Sequence, residues 1–463
     1  MKKVIIASVL IILFLFIRFY RINNSLFFFD DMGRDLLVLF EWQNSGKIPL
    51  VGPQTSALPV NQSPIYYFFL MPFYLLFKSS PYSALIANAT VYLICFLLGL
   101  YLTKSEPNLN KAAFGTFLLL IFHPQHILQN RFVWNPSLLS PILFLSLMLL
   151  FLFVEKTKPK YLFFSSGLLC LAVSLNYSVF PLLIVYFLVV LIYKPEFFRK
   201  FILYTAILFI AFNLTALAQL GKRFFLTGTL ARPDQIFQTG AALKQKLTDY
   251  IIYVLGLKVN PVSSFLLGAI FLSSFYLSIF SRTRFLKLSA GIFLVTSILT
   301  LLSPFNLLAH YIFAITASFF LFVGFLNWRI KLPLILFLLF NYLQPGQLSV
   351  YFRPAPRTYW QMNSCFKQFC SQFKQPLFVS VQSDLYPYHY GPEHRYLMIK
   401  NGCQVKHIEK EPNEADYMAV VLDSGSFSEK TQYYELSLFD KFKQSRTFNC
   451  QPNFSIVLLK KSP

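Results

Sequence analysis

Twelve apolar runs dominate the chain, and no water-soluble core of this length could hide them all. The first ends at Ile17. The others cover roughly 64–78, 82–103, 111–124, 138–154, 160–176, 177–193, 200–220, 261–280, 286–302, 307–326 and 332–344. A helix needs about 20 apolar residues, and at least about 17, to cross a hydrocarbon core. Composition agrees: 56% of residues are hydrophobic, 13% are charged, and Phe alone occurs 55 times. Soluble domains are nearer half apolar and a quarter charged. The bilayer must therefore be the main solvent.

The formal net charge, 41 − 19 = +22, would suggest nucleic acid in a soluble protein. Here the basic residues sit mostly in short loops between apolar runs, as in Glu155-Lys156-Thr157-Lys158-Pro159-Lys160 and Ser281-Arg282-Thr283-Arg284. That pattern marks cytoplasmic loops of membrane proteins. No zinc-finger spacing, basic helix or aromatic-basic RNA motif is present, so nucleic acid is not expected as a partner.

Charge also sets the sides. The loops near 104–111, 155–160, 194–200, 281–287 and 327–331 are short and basic, which puts them in the cytoplasm. Segments 124–137, 221–260 and 303–310 then fall outside, with the C-terminal region. The N-terminal run is followed by Arg18-Phe19-Tyr20-Arg21 rather than by a small-residue cleavage site, so it reads as an uncleaved span starting in the cytoplasm. Alternation works for eleven spans if 64–78 does not cross. At about 15 residues it would rise only about 22 Å as a helix. It reads as an interfacial or re-entrant helix on the outer side, and a second interfacial helix is expected near 35–46. The alternative is a true span at 64–78 with another run not crossing.

Residues 345–463 change character. Strand-length runs at 377–381, 418–422 and 455–459, with a helical stretch at 362–374, read as a small α/β domain. The expected division is a transmembrane domain over 1–344 and an extracytoplasmic domain over 345–463. Cys95 and Cys170 lie in apolar runs as fillers. Cys365, Cys370, Cys403 and Cys450 could form two disulfides in an exported domain, with three connectivities open.

Chemistry concentrates in Phe28-Phe29-Asp30-Asp31-Met32-Gly33-Arg34-Asp35, directly after the first span. Ionisable groups at a membrane surface are costly unless paired or used. Asp30 or Asp35 could instead cap a helix over Leu36 to Asn44, and Arg34 could pair with Asp31 or Asp35 across one helical turn. Further along stand Gly46-Lys47-Ile48-Pro49-Leu50-Val51-Gly52-Pro53, Pro64-Ile65-Tyr66-Tyr67, Arg131-Phe132-Val133-Trp134-Asn135-Pro136 and His310-Tyr311.

In order and shared side, these elements resemble the bacterial lipid-linked-sugar glycosyltransferases of the GT-C fold, relatives of protein O-mannosyltransferases and aminoarabinose transferases. The resemblance covers about residues 1–345. It implies a GT-C-like bundle of about eleven transmembrane helices and a polyprenyl-phosphate sugar as donor, held in membrane lipid. The acceptor would be a protein, glycolipid or polysaccharide. The first-loop Asp of the family matches Asp31, which would take the acceptor proton as general base, with Asp30 as the alternative. The leaving lipid phosphate needs cations. Candidates are Arg34, Arg131, Lys222, Arg223, Arg232 and His310, and Arg forks suit phosphate oxygens. Asp35, Tyr66, Tyr67, Trp134, Asn135 and Tyr311 complete the expected substrate-binding set.

Several of these residues have plainer readings. Arg131, Trp134, Tyr66 and Tyr67 could be interfacial anchors, Lys222 and Arg223 could snorkel, and His310 could be a hydrogen-bonded interfacial histidine. Where relatives often carry His-Tyr after the fifth span, this chain has Asn176-Tyr177. The acidic pair is Asp-Asp rather than the more frequent Asp-Glu. Asp30 and Asp31 could hold Mg²⁺ or Mn²⁺ with phosphate oxygens, but two adjacent acids are not in themselves a site. The rival functions are a lipid or sugar transporter or flippase, a non-catalytic scaffold, and a related oligosaccharide polymerase or ligase. Transporters place charges at mid-span and often carry repeats; neither feature is present.

Overall fold

The computed structural model describes residues 2–53, 61–77, 80–132, 134–227, 243–303, 307, 309, 311–355, 357–383, 391–422, 427, 434–439, 442–451 and 454–462. Its helices are α1 (Lys2–Phe19), α2 (Ile22–Ser25), α3 (Asp31–Ser45), α4 (Ile65–Leu76), α5 (Tyr82–Leu102), α6 (Pro107–Phe122), α7 (Pro124–Arg131), α8 (Leu139–Lys156), α9 (Pro159–Leu175), α10 (Phe180–Tyr193), α11 (Phe198–Thr227), α12 (Leu243–Tyr253), α13 (Pro261–Phe280), α14 (Arg284–Leu302), α15 (Phe313–Phe325), α16 (Trp328–Tyr342) and α17 (Pro345–Phe352). Then follow α18 (Tyr359–Gln372), β1 (Leu377–Gln382), α19 (Pro392–Lys400), β2 (Tyr417–Leu422), α20 (Tyr434–Ser437), β3 (Phe442–Gln451) and β4 (Phe454–Lys461).

Two compact units emerge. One holds Met1–Tyr20, Pro49–Phe73 and Tyr82–Phe352; the other holds Arg21–Ile48, Tyr74–Pro81 and Arg353–Pro463. The segment after the first helix is thus shared. Its acidic half clusters with the C-terminal region, and its proline-rich half with the helices.

In the first unit, each of the eleven runs expected to cross the membrane carries a helix among the described residues. Five of these helices are long and apolar enough to cross by length and composition, and shorter apolar helices accompany them. The chain is a polytopic helical membrane protein. Prolines open α6, α7, α9 and α13, where the missing N–H costs no intrahelical bond. The core lies around α8, whose apolar side chains are buried on every side, and α15, which is likewise enclosed. The basic loops meet at one end. Lys156 pairs with Glu106 at 3.3 Å, Lys194 donates to Thr157 at 2.5 Å, and Arg284 lies 3.9 Å from Glu155. Helix α4 has 12 residues with Pro72 inside it. As a helix that is about 18 Å, well short of a hydrocarbon core.

Several helix ends in this unit are closed by cations. Arg18, buried in α1, donates to the carbonyls of Leu120 (3.0 Å) and Ile121 in the last turn of α6. Arg131, at the end of α7, donates to Ile17, Arg18 and Tyr20 at the end of α1, each at 3.1 Å. Lys246 of α12 donates to Leu301 (3.1 Å) and Ser303 at the end of α14. Away from water the last carbonyls of a helix have no other donors, and a positive charge also suits the dipole there.

The second unit is an α/β domain joined by α3. Its sheet runs β1-β2-β4-β3, with β1 and β2 parallel and the other pairs antiparallel. Phe378, Met418, Val420, Val457 and Leu459 fill one face. Disulfides join Cys365 to Cys450 and Cys370 to Cys403, while Cys95 and Cys170 are free and buried in the first unit.

Candidate functional site

The acidic motif begins helix α3. Asp30 occupies the N-cap position with φ of +33°, a conformation that costs a non-glycine residue about 1–3 kcal/mol and so must be imposed by its surroundings. Its side chain makes no capping bond to the helix. Asp31 and Asp35 stand one turn apart on one face, and Arg34 bridges them. It pairs with Asp31 and reaches Asp35 Oδ1 at 2.8 Å through Nη2 and 3.0 Å through Nε. The two carboxylates differ in access: the Asp35 side chain is 3% exposed and that of Asp31 21%. Asp35 is thus a buried partner that holds the fork of Arg34, and Asp31 is the more accessible carboxylate.

The remaining expected residues lie in the first unit, and the structure gives several of them internal partners. The Arg131 guanidinium caps α1, with Phe352 stacked at 5.1 Å. Trp134 Nε1 donates to Gln129 at 2.6 Å. Asn135 is buried; its amide donates to Gln62 and, at 2.6 Å, to the Leu175 carbonyl. Tyr66 and Tyr67 are packed together and fully buried, so neither ring presents an open platform. Asn176 accepts from Ser178 N at 2.9 Å and caps the turn before α10. Tyr311 is half-buried. Lys222 and Arg223 lie in α11, but their side chains, with Arg232 and His310, fall outside the described residues.

Two polar clusters of this unit carry no motif signal. Around Asn135, the returning loop forms a short ladder (Gly52 N to Gln62 O and Gln62 N to Pro53 O, both 2.9 Å), and Ser63 bonds to the carbonyls of Ser174 and Phe212. Near the ends of α6 and α7, His126 links Tyr92 (3.3 Å) and Thr316 (3.1 Å), and His123 Nε2 donates to the Val254 carbonyl at 3.1 Å. Since Thr316 also donates to Phe313 O, its oxygen accepts from His126 Nε2, and Tyr92 donates to Nδ1. The only sequence hint was the polar cluster His123-Pro124-Gln125-His126 between apolar runs.

Among the described residues, no three His, Cys, Asp or Glu side chains gather as a metal-binding set. Asp31 is turned to Arg34 rather than toward a second acid.

The chain takes an ArnT-like GT-C fold. The chain matches ArnT from Cupriavidus metallidurans in the apo state with a TM-score of 0.62 and 11% identity, covering 99% of this chain and 97% of that one. The same protein bound to undecaprenyl phosphate matches with a TM-score of 0.61 and 13% identity, covering 99% and 98%. At such identities the likeness is one of fold. No family model matches the sequence, and no curated protein matches it at a significant level.

Proposed function

We propose that the protein is a membrane glycosyltransferase that moves a sugar from a polyprenyl-phosphate carrier to an acceptor hydroxyl or phosphate at the outer face of the membrane. The observation that carries the reading is the asymmetric triad of Asp31, Arg34 and Asp35 on a GT-C scaffold. Asp31, partly exposed, takes the acceptor proton as the oxygen attacks the anomeric carbon. The sugar–phosphate bond breaks as the new glycosidic bond forms, and the electron pair leaves on the lipid phosphate. A single base and direct attack invert the anomeric centre. Arg34, anchored by buried Asp35, holds the Asp31 carboxylate in place, and its cationic fork suits a nearby phosphate.

The donor class is supported by ArnT, whose structure has been solved with undecaprenyl phosphate. The outer-face orientation draws on two observations. The two disulfides of the C-terminal domain belong to an oxidising compartment, and the basic loops gather at one end of the helical unit.

The test is release of radiolabelled sugar from a panel of polyprenyl-phosphate sugars by purified protein in nanodiscs, with mixed membrane acceptors present. Asp31-dependent release from one donor supports the reading and names the sugar. No release from the whole panel by folded protein overturns it in favour of a transporter or scaffold.

A further inference from the structure

We propose that the C-terminal α/β domain is the brace that positions the acidic cluster, through backbone-to-backbone contact of α19 with Gly33. The proposal rests on the reading of Asp31 as the base. It gives the domain a role in the chemistry that neither its sequence nor its place at the end of the chain suggests.

Gly33 stands between Asp31 and Arg34 in the motif. A Cβ at this position would lie 2.3 Å from both Cα and N of Glu393 and 2.6 Å from its Cβ. The obstacle is backbone, so no rotamer change relieves it; α3 must move or α19 must. Successive residues of a helix turn by about 100°, so Gly33 faces about 200° away from Asp31 and Asp35. The brace therefore bears on the back of the helix and leaves the carboxylates on the front.

Helix α19 is itself fixed. Arg395 donates to the Val379 carbonyl of β1 at 2.6 Å and lies 3.4 Å from Glu435 of α20. The Cys370–Cys403 disulfide ties the chain just beyond α19 to α18. Aromatic contacts seat the rest of the loop: Phe28 meets the rings of Tyr359 and Tyr396 edge-on, and Phe40 meets Tyr396. Phe27 forms a bridge with Thr358, and the Asn24 carbonyl accepts from Ala355 N at 2.9 Å. A rigid path thus runs from β1 through α19 to the helix that carries the base. Catalytic groups need placement within about 0.5 Å, and a 1 Å error costs about 100-fold in rate.

The experiment compares full-length wild type, Gly33→Ala and Gly402→Ala in nanodiscs, with the polyprenyl-phosphate sugar that the wild type uses. Gly402 lies just past the other end of α19 at φ of +86°, and a Cβ added there would have nothing within 4 Å. Its substitution therefore strains the domain without pushing α3. Gly33→Ala is expected to lower kcat about 100-fold with donor KM within about threefold, and to speed hydrogen exchange of the α3 amides. Gly402→Ala is expected to change neither. If Gly33→Ala does not accumulate as folded protein, Phe40→Ala loosens the same seat without adding atoms, and about a tenfold loss of kcat is expected. Unchanged kcat, a loss confined to KM, or unaltered α3 exchange would overturn the proposal. If wild type transfers no sugar, the proposed function fails by itself, and the exchange measurement still decides whether α19 holds α3.

Discussion

Arg131 caps the helix that carries Arg18, and Arg18 caps the helix that leads to Arg131. Each guanidinium is buried, and among the described residues backbone carbonyls at a helix C-terminus meet it. Removing either leaves buried carbonyls without donors. Arg18→Met and Arg131→Met are each expected to destabilise by about 2–3 kcal/mol, with turnover per folded molecule within about threefold. Because both pin α1 to α6 and α7, the double variant is expected to lose less than the sum. Thermal midpoints of the three variants in nanodiscs check this; strict additivity would mean that the two caps act independently.

Asp31→Asn is expected to lower kcat by about 10²–10⁴, the usual worth of a general base, with an unchanged thermal midpoint. Asp30→Asn is expected to stay within about threefold, because its side chain is exposed and makes no capping bond to the helix. Arg34→Lys is expected to lose about tenfold, since a point charge cannot bridge Asp31 and Asp35 as a fork does. Steady-state kinetics on one donor decides all three. Turnover that survives both Asp31→Asn and Asp30→Asn sinks the assignment of the base.

The disulfides close loops of different length, with partners 85 and 33 residues apart. Chain entropy puts their contributions at about 4.6 and about 3.7 kcal/mol. Cys365→Ser with Cys450→Ser should therefore lower the unfolding midpoint more than Cys370→Ser with Cys403→Ser. Maleimide labelling of denatured, unreduced protein should count two free thiols, Cys95 and Cys170. A count of six would show that the domain is reduced, and would remove its support for an exported location.

Lys400 is half-buried, donates to Tyr359 Oη at 3.0 Å, and is held by burial at a pKa of about 8 against an ordinary 10.5. The unfolded chain binds this proton more tightly, so the charged lysine opposes folding below about pH 8. The opposition fades as pH rises from about 8 to about 10.5. Lys400→Met is expected to raise the thermal midpoint at pH 7 by about 2 °C, a figure kept small because solvent screens a half-exposed group, and to give a smaller gain at pH 10. A lower midpoint at pH 7 would show that the hydrogen bond outweighs the burial.

The helical half of the fold was legible in the sequence because a bilayer leaves few choices. Apolar runs of span length become helices, and the basic loops between them do meet at one end. Strands β1, β2 and β4 were legible because nearly all of their side chains are buried, which leaves short, unbroken apolar runs. Strand β3 was not: Phe442-Lys443-Gln444-Ser445-Arg446 belongs to an edge with mostly exposed side chains, so it lacks an apolar signature. The acidic cluster was legible as charge placed beside a span, but not its asymmetry, which depends on which carboxylate is covered. Arg131 was read for its charge as a phosphate ligand or interfacial anchor, and its carbonyl partners lie over a hundred residues away in sequence. The contact of Gly33 with Glu393 leaves no trace in either local sequence, because two backbones meet there and neither side chain reports it.

That contact also orders events in time. Gly33 and Glu393 are 393 − 33 = 360 residues apart. At a synthesis rate of about 5–20 residues per second, roughly 20–70 s pass between the two leaving the ribosome. Throughout that interval the acidic helix has nothing from α19 behind it. Helix α3 therefore gains its contact with α19 only once the final segment has emerged, folded and closed its disulfides.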